Sequence, residues 1–309
     1  MNPTPHAVLD IGQSGIRGTV QYRNGTSTSI DVVGGVTRLV DDAAVINYVA
    51  AVQRALTGVG PIECLTIGTT GFPHDQDLAR TLTRSVRDAA SASVVVLVAD
   101  EVTSLVGSIA DADGTALTWG TGLVAFGATS QRWVRVDGRG YALGDEGSGF
   151  WIGRAGLVAA LNWLERRQGS KQLATAALTT LGNRDEIISA AYQAGATTRY
   201  VANFAPAVLD AADNACPVAN DIVDEAVQHA AGAISAVEDQ LELCSAAVAV
   251  TGGLTRSPLL INRLARKLDV EITVVPDAHL AGAIRIADNP ALLARFPRLA
   301  HNSESTCST

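Results

Sequence analysis

The sequence has 309 residues, 47% of them hydrophobic and 17% charged, with a net charge of -8 and a pI near 5.1. That size suits two domains of roughly 100–200 residues each, and the apolar content excludes a disordered chain. The acidic balance argues against a nucleic-acid partner, which needs a basic face. A bound nucleotide would then rely on local backbone amides and a metal, because the overall field repels it.

No apolar run approaches the ~18 residues of a membrane helix, and residues 1–6 lack signal-peptide character. No membrane partner and a cytoplasmic location are therefore expected. Cys64, Cys216, Cys244 and Cys307 show no CxxC spacing, which fits free thiols better than a disulfide scaffold or a metal site.

In chain order, "VLDIGQSGIRGTV" (8–20) carries Gly12, Gly15 and Gly18 behind an apolar run. Ile16, Gly18, Val20 and Tyr22 then alternate with Arg17, Thr19, Gln21 and Arg23, the period of a strand. A dinucleotide fingerprint needs its glycine loop to open a helix, so that reading fails. Asn24-Gly25 is a hairpin signal leading to a third strand. Helical spacing over 41–56, a buried strand over 63–71, a helix over 75–90 and a β-branched strand over 93–101 complete a β-β-β-α-β-α-β order.

The order then starts again. Residues 115–136 offer three short strands with Gly120-Thr121-Gly122 in the first turn. A long helical region follows to about 243, then a strand over 246–254, a helix over 256–268, a strand over 270–276 and a closing helical region over 279–296. The fold class expected is a duplicated α/β fold with a cleft between its halves. Domains are expected at 1–113 and 114–284, the second with a helical insertion over 150–243. The helix at about 285–298 returns to the first domain, and 299–309 form a disordered tail. The region 170–243 could carry a homodimer interface, although its alanine-rich faces equally suit packing within the chain.

Five stretches could carry chemistry. Asp10 ends a buried strand, where a carboxylate can hold Mg²⁺ through water. The turn Gly12-Gln13-Ser14-Gly15 brings backbone amides and a hydroxyl toward phosphate oxygens. Gly120-Thr121-Gly122 occupies the equivalent turn of the second half, so the two could hold a polyphosphate between them. Asp100 ends the Val-rich strand, where it could take the proton of an attacking hydroxyl, or simply cap the next helix. Glu101 is expected to face solvent as a first-turn acid. In "YALGDEGSGFWIGR" (141–154), Asp145 can bind substrate hydroxyls, while Gly147 and Gly149 allow close approach of a ligand. Finally "TGGLTRSP" (251–258) offers a backbone that packs against an adenine or ribose face. No GxxxxGK[ST] or GxSxG occurs.

These residues resemble the superfamily of sugar kinases and actin. "LGDEGSGFWIGR" is similar to the BadF/BadG/BcrA/BcrD ATPase family, in its N-acetylglucosamine and glucosamine kinase branch, over Ala7 to about Ala287. The resemblance implies ribonuclease H-like (actin-like ATPase) domains and ATP-dependent phosphorylation of an amino sugar at its 6-hydroxyl, with ATP and Mg²⁺ as cofactors. It implies phosphate contacts at Gly12, Gln13, Ser14, Gly15, Gly120, Thr121 and Gly122, and a water-mediated Mg²⁺ ligand in Asp10. It implies adenosine contacts at Thr251, Gly252, Gly253 and Leu254. The sugar would fall to Asp145, Gly149, Thr70 and Asp100, the last also the catalytic base. Ile11 and Gln13 depart from the family's glycines, Leu123 and Val124 from its polar residues, and Arg139 from its aromatic. Two other functions stay open: a sugar- or ATP-binding sensor of this fold, and an activator of a radical dehydratase, which needs clustered cysteines for an iron–sulfur cluster.

Overall fold

The computed structural model describes residues 5–13, 15–36, 42–73, 75–109, 113–193, 197–243 and 247–303. The chain divides into two units: Met1–Ala112 with Ser130–Trp133 and Asp277–Thr309, and Asp113–Thr129 with Val134–Pro276.

The first unit opens with β1 (His6–Ile11), β2 (Gly15–Gln21) and β3 (Ser27–Val33), an antiparallel meander. Then come α1 (Asp42–Ala55), β4 (Ile62–Thr69), α2 (Gln76–Ala89), β5 (Ala92–Ala99) and α3 (Asp100–Ile109). β1, β4 and β5 pair in parallel, and the Val/Leu run of β5 and Ile62, Leu65 and Ile67 of β4 are buried, as central strands covered on both faces require. α2 starts where the Asp75 carboxylate accepts the Asp77 and Leu78 amides, at 2.7 and 3.1 Å. Its Ala79, Leu82, Thr83 and Val86 form the buried face.

The second unit repeats the plan. β6 (Gly114–Trp119), β7 (Leu123–Ala128) and β8 (Trp133–Asp137) form the meander. Six helices follow: α4 (Gly149–Leu164), α5 (Lys171–Leu181), α6 (Arg184–Ala191), α7 (Thr197–Ala202), α8 (Ala205–Asp213) and α9 (Pro217–Leu241). β9 (Ala247–Thr251), α10 (Pro258–Leu268) and β10 (Ile272–Val274) close the unit. Its sheet runs β10-β9-β6-β7-β8, the same order as β5-β4-β1-β2-β3. The helices bury a small-residue core; α9 alone contributes Ala219, Val223, Ala226, Ala230, Ile234 and Val237 at three- and four-residue spacing.

α11 (Ala278–Asp288) and β11 (Ala300–Asn302) belong to the first unit. The boundary therefore lies at Pro276, not at 284, and α11 as a whole packs on α3. A Cβ on Gly107 would strike the Ala278 carbonyl, and one on Gly282 the Thr103 carbonyl, so glycines alone allow this approach. The expected tail also needs correction over its first part. β11 adds an antiparallel strand to the β5 edge, Leu299 is buried, and Ser303 exchanges hydrogen bonds with Val95. An unpaired edge beside a buried strand gains partners this way. Residues 304–309 lie outside the described residues.

Candidate functional site

In the first unit the chemistry gathers at the C-terminal ends of β1, β4 and β5. The antiparallel register sets Asp10 opposite Arg17, and the parallel register sets it beside Gly68. Arg17 donates to Asp10 at 3.1 Å and to Asp277 at 2.6 Å, bridging a buried carboxylate and an exposed one. The loop after β1 is tight: the Gly12 amide donates to the Gly15 carbonyl at 3.0 Å, and the Val36 amide to the Gly12 carbonyl at 3.1 Å. A Cβ on Gly35 would strike that same Gly12 carbonyl, so Gly35 guards the loop's shape. Gln13 is exposed there. Ser14, the loop's expected hydroxyl, lies outside the described residues.

Asp100 is the first residue of α3, directly after β5. Burial pushes its carboxyl well above the usual range, as do the neighbouring charges of Glu101 and Asp10, while a hydrogen bond from the Thr70 side chain acts the other way. Thr70 is held over this spot by its amide, which donates to the Ile11 carbonyl at 2.9 Å. Below, burial pushes the Tyr48 phenol up, with Asp10 and Asp100 adding to the shift. His279, in the first turn of α11, is pushed down by burial against the opposing pull of Asp10.

Glu101 corrects its sequence reading. It is 5% exposed, not a solvent-facing acid. Its burial follows from α11 covering the first turns of α3.

In the second unit the site is made of backbone. The Gly120 amide donates to the Gly122 carbonyl at 3.0 Å, closing the turn. The first amides of α4 hold it from behind: Gly149 donates to the Gly120 carbonyl at 2.8 Å and Phe150 to the Thr121 carbonyl at 3.0 Å. The helix start is capped by Ser148, which accepts the Trp151 amide at 3.2 Å, so neither Asp145 nor Glu146 caps it. Asp145 instead adopts a left-handed φ of 60° and accepts the Leu123 amide at 3.1 Å, while its own amide donates to Asp137 at 3.0 Å. Burial raises the Asp145 carboxyl, and the Leu123 hydrogen bond opposes the rise. The Trp119 indole donates to the Gly147 carbonyl at 2.8 Å. Gly252, at φ 101°, lies so close to the Trp119 carbonyl that a Cβ would clash. Thr251 and Leu254 are buried, leaving the backbone of 252–253 as the part open to a ligand.

The structure thus gathers Asp10, the turn after it, Thr70 and Asp100 in one unit. It gathers Gly120–Gly122, Asp145, Gly149 and Thr251–Leu254 in the other. Gly149 acts through its amide on the turn. Leu123, a departure from the family pattern, turns its side chain into the core at 2% exposure. Sequence reasoning missed Arg17, Gly35, Asp137, Asp277 and His279. The strand alternation of 16–23 already put Arg17 on the Asp10 side of the hairpin, a signal that could have been used.

Two α/β units of one strand order, each with a glycine turn after its first strand, define the actin-like fold of nucleotide-dependent kinases and ATPases. Within that class the chain belongs to the BadF/BadG/BcrA/BcrD ATPase family, whose sequence profile matches residues 9–284. An N-acetylmuramic acid/N-acetylglucosamine kinase of Clostridium acetobutylicum is 27% identical over 195 residues, which cover 61% of this chain and 63% of that protein. A Porphyromonas gingivalis structure provisionally assigned as an N-acetylglucosamine kinase superposes with a TM-score of 0.71 at 17% identity, over 92% of this chain and 99% of that one. A ROK family glucokinase of Streptomyces griseus, in complex with glucose and AMPPNP, gives 0.61 at 20% identity, over 91% and 98%.

Proposed function

We propose that the protein transfers the γ-phosphoryl group of ATP to the 6-hydroxyl of an amino sugar, N-acetylglucosamine or glucosamine. The observation that carries this reading is Asp100: a desolvated carboxyl at the C-terminal end of a central strand, hydrogen-bonded to Thr70 and close to the charge of Asp10. A base so placed accepts the hydroxyl proton as the sugar oxygen attacks phosphorus. The family membership and the kinase relative support the same class of reaction.

The remaining parts follow from what phosphoryl transfer demands, which is alignment and charge neutralisation. In the first unit the loop after β1, with the Arg17 guanidinium, suits phosphate oxygens, and in the second unit the Gly120–Gly122 turn does. The backbone of Gly252-Gly253 suits an adenosine face. Asp145 and Thr70 suit sugar hydroxyls.

The donor set fits Mg²⁺ in one way. Among the described residues no three His, Cys, Asp or Glu side chains group to hold a metal, and Asp10 already shares one oxygen with Arg17. Mg²⁺ keeps most of its waters and takes one or two carboxylates plus substrate phosphates. Asp10 therefore suits a hydrated ion that arrives with the nucleotide and neutralises phosphate charge when bound.

The test is ADP release from Mg-ATP with glucosamine, N-acetylglucosamine, glucose and N-acetylmuramic acid, each against Asp100→Asn. Turnover on one sugar, lost in the variant, supports the reading and names the acceptor. Turnover indifferent to the variant removes Asp100 as the base. Sugar binding without any turnover, in protein that binds ATP, turns the assignment to a sensor.

A further inference from the structure

Asp137 ends β8 with a left-handed φ of 64°, and Asp145, further along the chain, has one of 60°. Such backbone is uncommon for a residue with a Cβ and persists where its surroundings hold it. Here the hold is a ring of hydrogen bonds. Oδ1 of Asp137 accepts the Asp145 amide at 3.0 Å, and Oδ1 of Asp145 accepts the Leu123 amide at 3.1 Å. The Leu123 carbonyl accepts the Gly138 amide at 3.0 Å, which returns the ring to Asp137. Only 10% of the Asp137 side chain is exposed, so little water competes for its carboxylate.

The chain inside the ring is shaped to it. The Arg139 amide donates to the same Asp137 oxygen at 3.4 Å, and the Arg139 guanidinium lies 3.6 Å from it. A Cβ on Gly144 would strike the Asp137 carboxylate, so the residue before Asp145 has to be a glycine. On the far side, a Cβ on Gly122 would lie 3.0 Å from both Asp145 oxygens, so that carboxylate rests against the glycine turn.

We propose that Asp137 is a positioning residue for the acceptor sugar: its carboxylate holds the Asp145 backbone in the conformation that spends Oδ1 on the Leu123 amide and leaves Oδ2 to a sugar hydroxyl. This rests on the sugar-binding role given above to Asp145.

The glycine turn has support of its own. The Gly120 amide closes it onto the Gly122 carbonyl, and the Gly149 and Phe150 amides brace it from α4. The ring meets it only at Leu123, where the turn is already complete. Loosening the ring therefore reaches the acceptor and spares the nucleotide. A contact made equally in the ground and transition states is felt in KM rather than in kcat.

The test uses the full-length protein as wild type, Asp137→Ala, Asp137→Asn and Gly144→Ala, with steady-state kinetics on the four sugars named above and amide hydrogen exchange followed by NMR. Asp137→Ala is expected to raise the sugar KM roughly ten- to a hundred-fold, the range for a buried donor left unpaired. The KM for ATP and the kcat at saturating sugar should stay within about threefold of wild type. Asn, whose side-chain oxygen still accepts, should restore most of the loss. Gly144→Ala keeps every polar group but displaces the carboxylate, and should reproduce the Asp137→Ala result even where that variant does not fold. In both, the Asp145 and Leu123 amides should exchange faster than in wild type. A sugar KM unmoved in these variants overturns the positioning role, as does a rise that the KM for ATP matches. Wild-type protein that neither binds nor phosphorylates any of the sugars overturns the function instead. The exchange rates then still decide the hold on Asp145: faster exchange upholds it, and unchanged exchange overturns it.

Discussion

The two units share a strand order and differ in where their chemistry resides. In the first, side chains carry the candidate site: Asp10, Arg17, Thr70 and Asp100 lie at three strand ends, where burial and the charges of Glu101 and Asp10 raise the Asp100 carboxyl. In the second, the peptide backbone does it. Gly120–Gly122 is braced by the amides of Gly149 and Phe150, and the nearest carboxylate, Asp145, spends an oxygen on the Leu123 amide. The duplicated scaffold thus sets most of its candidate titratable groups on one copy and mostly backbone dipoles on the other. Fixed dipoles need no reorganisation during reaction, whereas a base must change its protonation state.

That contrast can be broken in order of effect. Asp100→Asn should lower kcat by roughly 10²- to 10⁴-fold, the usual worth of a general base, as read by steady-state ADP release. In the first unit's frame, Gly107→Val forces α3 from α11 and should cost about 3 kcal/mol, the upper end of ordinary overpacking, measured by urea unfolding. In the second unit, Asp145→Ala removes the acceptor of the Leu123 amide and should cost about 1–3 kcal/mol in the same assay.

A smaller effect carries the opposite sign. The Asp100 carboxyl is raised in the folded protein, so folding binds its proton more tightly than the unfolded chain does. Its contribution is favourable at acidic pH and is lost as pH rises from the unfolded value, about 3.9, through the raised folded value. Asp100→Asn should therefore gain Tm over wild type at neutral pH, and the gain should vanish below about pH 3.9. Activity limited by the same group should rise with pH over that window. Smallest of all, Glu63→Gln, which loses exposed pairs with Arg23 and His6, should leave Tm unchanged.

Much of this was legible in the sequence, because period and punctuation are local. The alternation of residues 16–22 specified β2, the Val-rich run β5, and Asn24-Gly25 the hairpin between β2 and β3. Asp10, Asp100 and the glycine turns could be singled out because strand ends beside glycines are where ligands meet open sheets. What stayed hidden depends on partners distant in sequence. Glu101 looks like a surface acid until α11, nearly two hundred positions on, covers it. Asp277 becomes relevant only once Arg17 reaches it. The burial of Leu299 and the pairing of residues 300–302 need an edge of β5 to attach to, and a three-residue strand is too short to carry a periodicity that shows it.

The return of α11 and β11 to the first unit also sets an order of assembly. Synthesis reaches β5 at Ala99 but β11 only at Ala300, with the whole second unit made in between. The helical unit can therefore close on the ribosome, while the first waits with the β5 edge and the glycine face of α3 uncovered. Exposed strand edges and apolar surface are what chaperones and misassociation act on. The first unit stays exposed from the making of β5 until that of β11, and the short strand Ala300–Asn302 is what ends the exposure.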